Sequence, residues 1–273
     1  MGDNKSESGL LVYIIPFLAV VPFLYAMGWE SYDASILIVA VPFMTFPVIL
    51  IVGQVYNGEE FWKSKMKEGG ILALGALGAS LSAALWLVYD YVDSLPNFDD
   101  QQSVTQWLEW VSFDLLQSDY TLTSGSKILG MGVWIDSITL MILFVATFLC
   151  FLICWFSLGY MNTDPINEDR NHRFYGEFVL FALGMFGMVL ADNFLWLFIF
   201  WEVMGLCSYL LIGFYYWKDS AAYASKKAFL TTRVGDVFLM IGLFILYDIY
   251  GSLEFSVIFL SLIHISEPTR HRG

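Results

Sequence analysis

Long, uninterrupted apolar runs alternate with short polar segments along most of the sequence. A helix needs about 20 mostly apolar residues to cross the hydrocarbon core of a bilayer. The runs are continuous rather than alternating and about twice as long as a barrel strand. They therefore predict helices, which satisfy their own backbone groups in lipid. The pattern predicts an all-α, polytopic transmembrane protein whose spans are Leu10–Trp29, Ile36–Tyr56, Gly70–Tyr91, Val133–Tyr160, Phe174–Ala191, Phe194–Trp217 and Lys227–Tyr247.

The spans divide the chain into residues 1–33 with the first span, 34–132 with two spans and a long loop, 133–259 with four spans, and a tail at 260–273. In the loop Val92–Gly132, apolar positions of Ser103–Leu116 recur at roughly helical spacing. They predict an amphipathic helix at the membrane interface, in a loop that we expect to be extracytoplasmic. The tail is too short and polar to form a span. Its run SLIHISEPTR resembles translated sequencing adapter, so we expect it to be non-native.

Composition supports a membrane protein over a soluble one. Of the 273 residues, 58% are hydrophobic and 14% are charged, and the mean hydropathy is +0.65. Soluble domains are nearer half apolar and a quarter charged. The net charge of -13 argues against a nucleic-acid partner, since that function needs a basic face.

Basic residues collect on one side of the predicted membrane. Successive spans place alternate loops on opposite sides, and one side holds only Lys127 together with many acidic residues. The positive-inside rule makes the other side cytoplasmic. We therefore expect a multi-pass protein of the plasma or inner membrane with a cytoplasmic N-terminus. The basic side holds Lys5, Lys63, Lys65, Lys67, Arg170, Arg173, Lys218, Lys226 and Lys227.

The candidate ligands for metals and cofactors are sparse. Cys150, Cys154 and Cys207 fall in apolar runs, and buried free thiols are the expected outcome. The sequence has no Gly-rich phosphate loop after a strand, and no His or Cys set that suits zinc, haem or an iron–sulfur cluster. We therefore expect no cofactor and no metal on this chain. It can move ions or serve as a scaffold.

Glu202 is the strongest functional candidate. It lies eight residues into the span Phe194–Trp217, which is about 12 Å along a helix, among apolar neighbours such as Phe198 and Leu206. An ionisable residue at this depth is costly and is by default a functional hypothesis. A carboxyl group that changes protonation inside the membrane is what a proton relay requires. The alternative is a structural glutamate that hydrogen-bonds within a helix interface.

Five other charged residues lie in or near the spans. Arg233 and Asp236 are three residues apart, so they share a helix face and can pair, either for function or only to enter the membrane together. Lys227 marks the expected start of the same helix. Asp136 and Glu177 lie within about one turn of their expected helix starts, which favours structural roles at the interface. His172, in the charged loop before Glu177, is expected to be solvated.

The segments around Glu202 that carry a family resemblance are Leu190–Asn193, Trp201-Glu202, Gly205–Tyr215, Lys227–Phe229 and Thr232–Phe238. They resemble the L subunit of bacterial and archaeal NADH-quinone oxidoreductase, whose mitochondrial counterpart is subunit 5. The chain is also similar to the large A subunit of multisubunit Na⁺/H⁺ antiporters. The resemblance extends more loosely over Ile36–Phe255, and Leu10–Trp29 looks like an additional helix.

The resemblance implies an antiporter-like fold of about fourteen to sixteen helices, with two inverted half-repeats and helices broken at mid-membrane. Glu202 falls on the family's proton-relay glutamate, which pairs with a lysine on a later helix. Arg233 and Asp236 fall on a charged pair implicated in coupling to the neighbouring subunit, and Lys227 also matches. The lysine-bearing helices are missing here, so residues 133–259 would be only the start of the proton-translocating domain.

The leading interpretation is a proton-translocating subunit of a respiratory NADH-quinone oxidoreductase. The resemblance implies other membrane subunits, the lipid bilayer and protons as partners. It also implies that NADH, FMN, iron–sulfur clusters and quinone bind to partner subunits. One alternative is the A-type subunit of a multisubunit Na⁺/H⁺ antiporter. A second alternative is a membrane scaffold that transports nothing.

Overall fold

The computed structural model describes residues 19–94, 106–113, 129–163 and 170–259. Single 3₁₀ turns at Lys67–Gly69 and Met161–Thr163 adjoin two of the helices. In chain order the helices and strands are α1 (Val20–Ala26), α2 (Ser31–Val55), α3 (Glu60–Ser64), α4 (Gly70–Ser94), β1 (Gln106–Phe113), β2 (Leu129–Ile135), α5 (Ser137–Tyr160), α6 (Asn171–Leu190), α7 (Phe194–Ile212) and α8 (Asp219–Tyr250).

The transmembrane helical architecture is confirmed. Within the described residues, six helices are long and apolar enough to cross a membrane: α2, α4, α5, α6, α7 and α8. They correspond to six of the expected spans. The remaining span, Leu10–Trp29, lies partly outside the described residues, which begin at residue 19, and its described part contains the short helix α1. The expected tail at 260–273 also lies outside them.

The bundle is built around α4, which packs against α2 and α5, while α6 packs against α2 and α7. Small residues of α4 allow this close packing. A Cβ on Gly70 would lie 2.4 Å from Leu158 Cδ2 and 2.7 Å from Tyr175 Cζ, so only glycine fits there. Tyr175, Leu74, Leu77, Leu143 and Phe186 are fully buried in the resulting core.

The two last helices are much more exposed than the others. On α8, Val234, Phe238, Phe244 and Ile245 are each more than half exposed, and on α7 only Cys207 is buried. Side chains this apolar need lipid or further protein around them. The α7–α8 pair therefore presents a membrane-facing or subunit-facing surface.

Polar side chains fix where two of the membrane helices begin. Asp136 Oδ1 accepts a hydrogen bond of 2.6 Å from Thr139 N and caps α5. Asn193 Oδ1 accepts one of 2.8 Å from Trp196 N and caps α7. Each cap satisfies a backbone N–H that has no partner within its helix. The structural role expected for Asp136 is thereby explained.

The predicted amphipathic helix at Ser103–Leu116 is wrong. Gln106–Phe113 forms β1, which pairs antiparallel with β2, Gln106 opposite Ile135 and Phe113 opposite Leu129, with an irregularity between Glu109 and Val111. Short apolar runs suit a helix or a strand equally on spacing, and tryptophan, valine and phenylalanine fit a pleated surface well. Pairing with β2 decides the conformation, so the helical membrane fold carries one small hairpin.

Several helix starts also differ from the predicted spans, among them those of α5 and α8. Val133–Ile135 belong to β2, so α5 starts only at Ser137. Helix α8 starts at Asp219, eight residues before the predicted Lys227. Hydropathy detects only the apolar part of such a helix, whereas its first two turns are polar but rich in alanine, a strong helix former. Lys227 therefore lies inside α8 and not at its end.

One end of the bundle, here called the basic end, joins the α3 region to the start of α6 and the α7–α8 connection. Asn171 N donates a hydrogen bond of 2.8 Å to Glu68 Oε2. Arg170 Nη2 donates one of 2.6 Å to Tyr216 OH. These contacts hold together three connections that are far apart in sequence.

The opposite end, here called the acidic end, joins α4, the hairpin, the α6–α7 turn and the segment after α8. Tyr91 OH and Ser137 Oγ lie 3.0 Å apart in a hydrogen bond. Backbone bridges pair Val133 with Ala191 and Asn193 with Glu254. The chain after α8 therefore folds back against the turn that starts α7.

Candidate functional site

Helices α7 and α8 bring three charged side chains together. Arg233 on α8 forms an ion pair with Glu202 on α7, and its Nη1 lies 3.4 Å from Asp236 Oδ2 on its own helix. The three side chains are largely buried, with 25% of Glu202, 30% of Arg233 and 12% of Asp236 exposed. The structure therefore joins the glutamate and the predicted charged pair into one cluster.

The cluster lies well inside the membrane-spanning part of the bundle. Glu202 follows Phe194 by eight residues, which places it about 12 Å from the acidic end of a helix about 28 Å long. Apolar residues flank it in both directions on α7. Charges at this depth persist only when they are paired.

The charge balance of the cluster makes it able to hold a proton. With all three groups ionised, one guanidinium faces two carboxylates, and one negative charge is left over. A proton on either carboxyl group makes the cluster neutral. Because Arg233 contacts both carboxylates, it can keep one ion pair while the other carboxyl group is protonated.

Trp201 belongs to the cluster, although its sequence position gave no such indication. Its Nε1 donates a hydrogen bond of 2.9 Å to Asp236 Oδ1. Asp236 therefore has two partners, Trp201 and Arg233, whereas Glu202 is paired with Arg233. A usable signal exists, since a tryptophan N–H inside a membrane span needs an acceptor. The acceptor lies 35 residues away and appears only in the fold.

Lys227 is not part of this cluster. It lies six residues before Arg233 on α8, which is about 9 Å along the helix, and its side chain is exposed. No described residue forms a salt bridge with it. A function for Lys227 stays a prediction.

Glu177 is more deeply placed than its sequence position suggested. Helix α6 begins at Asn171, so Glu177 lies almost two turns inside it, and it is only 6% exposed. Arg173 Nε donates a hydrogen bond of 2.7 Å to Glu177 Oε1. His172 also differs from the expectation: it lies in the first turn of α6, half-buried, and not in a solvated loop.

Asp192 forms a second polar site in the α6–α7 turn, outside the membrane-spanning helices. It is 2% exposed, and Asn193 Nδ2 donates a hydrogen bond of 2.6 Å to its Oδ1. Burial, aided by the nearby Glu254 carboxylate, raises the pKa of Asp192 to about 6. The chain after α8 closes over it, because Phe255 N donates a hydrogen bond of 3.2 Å to Asp192 O.

The three cysteines are buried free thiols, as expected. Cys150 and Cys154 lie on α5, and Cys207 lies on α7. Among the described residues, no three His, Cys, Asp or Glu side chains form a group that could hold a metal ion. The residues present therefore do not fit an iron–sulfur cluster or another metal centre.

Two family models match the chain. Residues 191–270 match the transmembrane family described as NADH:quinone oxidoreductase/Mrp antiporter. Residues 122–175 match the N-terminal family of NADH-ubiquinone oxidoreductase (complex I) chain 5. The first match contains the whole charged cluster.

Curated relatives extend the likeness over most of the chain. It is 37% identical over 188 residues to NAD(P)H-quinone oxidoreductase chain 5 of Synechocystis sp., covering 69% of this chain and 24% of the relative. It is 36% identical over 184 residues to NADH-quinone oxidoreductase subunit L of Pseudomonas aeruginosa, covering 67% and 27%. For subunit L of Mycobacterium tuberculosis the identity is 34% over 225 residues, covering 82% and 31%. The chain thus spans about a quarter to a third of these relatives.

A solved structure supports the fold. The chain superposes on a chain of the membrane-bound sulfane sulfur reductase, an archaeal respiratory membrane complex, with a TM-score of 0.56 and 20% sequence identity. The match covers 81% of this chain and 38% of that one. At this identity the likeness concerns the arrangement of the helices alone.

Proposed function

Because the chain belongs to the family of NADH-quinone oxidoreductase subunit L and chain 5 proteins, we propose that it is the front part of a proton-translocating membrane subunit. That subunit couples electron transfer elsewhere in the complex to proton movement. The observation that supports the proposal is the cluster of Glu202, Arg233 and Asp236 inside the membrane. A scaffold needs no charges there, since burying them is costly.

Glu202 carries the proton in this proposal. When Glu202 is ionised, its carboxylate pairs with Arg233. When a proton binds to a carboxylate oxygen of Glu202, that ion pair is lost, and Arg233 keeps Asp236 as its partner at 3.4 Å. Trp201 holds Asp236 in place from α7. The family resemblance supplies a lysine on a later helix as the next partner of Glu202.

The partners follow from the same family. We infer that the exposed apolar surface of α7 and α8 faces lipid, the rest of the subunit and other membrane subunits. The family resemblance implies that NADH, FMN, iron–sulfur clusters and quinone bind to those partner subunits; within the described part of this chain, no group of side chains could hold a metal ion. The basic end would face the cytoplasm, in a plasma or inner membrane, with the N-terminus on that side.

The test is Glu202→Gln in the full-length parent subunit within its complex. Glutamine keeps the shape and hydrogen-bonding capacity of the side chain but cannot bind and release a proton. We expect NADH-driven proton uptake by inverted membrane vesicles to lose most of its rate, while the complex still assembles. Asp248→Asn, at an exposed carboxyl group near the acidic end of α8, is the matched control and should leave uptake intact. Unchanged uptake in Glu202→Gln would refute the proposed role.

A second candidate function is an A-type subunit of a multisubunit Na⁺/H⁺ antiporter, because the family model over residues 191–270 includes Mrp antiporters. The cluster would then exchange protons against sodium without a redox partner. Vesicles that acidify with NADH and quinone support the first function. Vesicles that respond only to an imposed Na⁺ gradient support the second.

A further inference from the structure

The carboxyl group of Glu177 is buried, and only one of its two oxygens accepts a hydrogen bond from a described residue. Oε1 accepts a hydrogen bond from Arg173, whose side chain is 45% exposed. Oε2 is buried and accepts no hydrogen bond from any residue that the structure describes. A buried ionised oxygen without a hydrogen-bond donor is costly, whereas a protonated carboxyl group carries no charge and has fewer acceptor sites to satisfy. Oε2 is therefore the atom at which a proton relieves the burial.

Glu177 forms part of the wall of a cavity of about 340 Å³ between α2, α6 and α7. The cavity is large enough for several water molecules. Its apolar wall includes Leu50 and Leu210, and its polar wall includes Gln54 and His172. Glycines allow this arrangement, since a Cβ on Gly53 would lie 2.5 Å from His172 Cβ.

A second cavity continues from the first toward the basic end. It measures about 350 Å³ and shares Gln54, His172 and Arg173 with the first one. Its remaining walls are Asn57, which follows α2, and Arg170, which precedes α6. The two cavities, which share these three wall residues, together lead from the basic end to Glu177.

Glu177 lies between the basic end and Glu202. It is six residues into α6, about 9 Å from the basic end, and Glu202 on the antiparallel α7 is about 16 Å from that end. The separation along the helix axes is therefore roughly 7 Å. The groups near Glu177 are His172 and Arg173 on α6, Gln54 on α2 and Cys207 on α7. Lys226 on α8 lines a neighbouring cavity that shares Arg173 with the first one.

We propose that Glu177 is a second proton-binding site, which takes up protons from the basic end through the two cavities and supplies them to Glu202. An O–H bond forms at Glu177 Oε2 as an O–H bond of a hydronium ion in the cavity breaks and leaves a water molecule. The same bond breaks when the proton moves on, and no electron is exchanged. The delivery to Glu202 rests on the proposed function, whereas the proton binding itself does not.

The experiment is infrared difference spectroscopy of the full-length complex during a pH titration. Protonated and ionised carboxyl groups absorb at different frequencies, so the method observes Glu177 directly. We expect one protonated-carboxyl signal to disappear in Glu177→Gln and to shift in Glu177→Asp. It should persist in Glu59→Gln, whose carboxyl group is exposed near the same end. NADH-driven proton uptake in Glu177→Gln should fall about a hundredfold, the low end for a positioned proton-transfer group.

The outcomes separate the two proposals. If no Glu177 signal is seen at any pH at which the complex is intact, Glu177 is not a proton-binding site. This conclusion does not depend on the proton uptake measured for Glu202→Gln. A Glu177 signal together with wild-type uptake in Glu177→Gln overturns the delivery of protons, provided that Glu202→Gln stops uptake. If Glu202→Gln leaves uptake unchanged, the proposed function fails, but the infrared signal still decides whether Glu177 binds a proton.

Discussion

The two carboxylates that share Arg233 have different surroundings. Asp236 has a second donor, Trp201 Nε1 at 2.9 Å, and is 12% exposed as a side chain. Glu202 is 25% exposed and relies on the ion pair. A hydrogen bond to a charged group contributes roughly 1.5–3 kcal/mol. Asp236 therefore has a second hydrogen-bond donor in addition to Arg233, and this difference supports the proposal that Glu202 is the carboxyl group that exchanges its proton.

This asymmetry predicts the effect of Trp201→Phe. Phenylalanine fills most of the space but donates no hydrogen bond to Asp236, so Arg233 should be drawn toward Asp236 and away from Glu202. We expect NADH-driven proton uptake to fall about tenfold or more, corresponding to the loss of one charge-assisted hydrogen bond. Electron transfer to quinone should persist. Trp155→Phe is the control, since Trp155 on α5 is 45% exposed; equal uptake in both variants would contradict the assigned role of Trp201.

The sequence identified Glu202, Arg233 and Asp236 because a charge in an apolar run is visible without any fold. It could not assign Trp201, whose partner lies 35 residues away on another helix. The depth of Glu177 in its helix was underestimated for a related reason. The predicted span starts at Phe174, whereas the polar residues Asn171–Arg173 already form the first turn of α6. The burial of Glu177 depends on the packing of α2 and α7 around α6, which the sequence does not reveal.

At the scale of the elements, the turn between α6 and α7 acts as a connection point for the acidic end. Asn193 caps α7, and Phe194 N donates a hydrogen bond of 3.0 Å to Leu253 O. The segment after α8 is thereby held against the start of α7. The helices themselves follow from apolar length, but this connection and the β1–β2 hairpin depend on pairing between distant segments, which apolar patterning does not reveal.

Asp192 makes the stability of this connection depend on pH. Its folded-state pKa is about 6 against an ordinary value of 3.8, so the folded protein binds more protons than the unfolded chain between these values. The free energy of unfolding should therefore fall as the pH rises through this window, by up to about 3 kcal/mol. Asp192→Asn keeps an acceptor for Asn193 and removes the ionisation.

We accordingly expect Asp192→Asn to raise the thermal unfolding midpoint of the detergent-solubilised parent complex at neutral pH and to flatten its dependence between pH 3.8 and about 6. Asp93→Asn, at an exposed position near the end of α4, should leave the wild-type pH profile unchanged. A profile for Asp192→Asn as steep as that of the wild type would show that another group is responsible.

At the scale of the whole molecule, the two ends differ in charge as well as in contacts. Among the described residues, the acidic end carries Asp90, Asp192 and Glu254 and has no lysine or arginine, whereas the basic end carries Lys63, Arg170 and Lys218. The contacts at each end join the helix ends that six successive membrane crossings would bring to the same side. This separation is the physical basis of the predicted orientation.

The orientation can be measured with single cysteines in the full-length parent. Cys150, Cys154 and Cys207 are buried, so a membrane-impermeant maleimide should label them weakly. Lys218→Cys, in the connection between α7 and α8, should react in inverted vesicles and not in intact cells, because the basic end is expected to be cytoplasmic. Asp248→Cys, near the other end of α8, should show the reverse. Labelling of Lys218→Cys from outside intact cells would mean that the basic end faces outward. The proposed direction of proton movement through Glu177 and Glu202 would then be reversed.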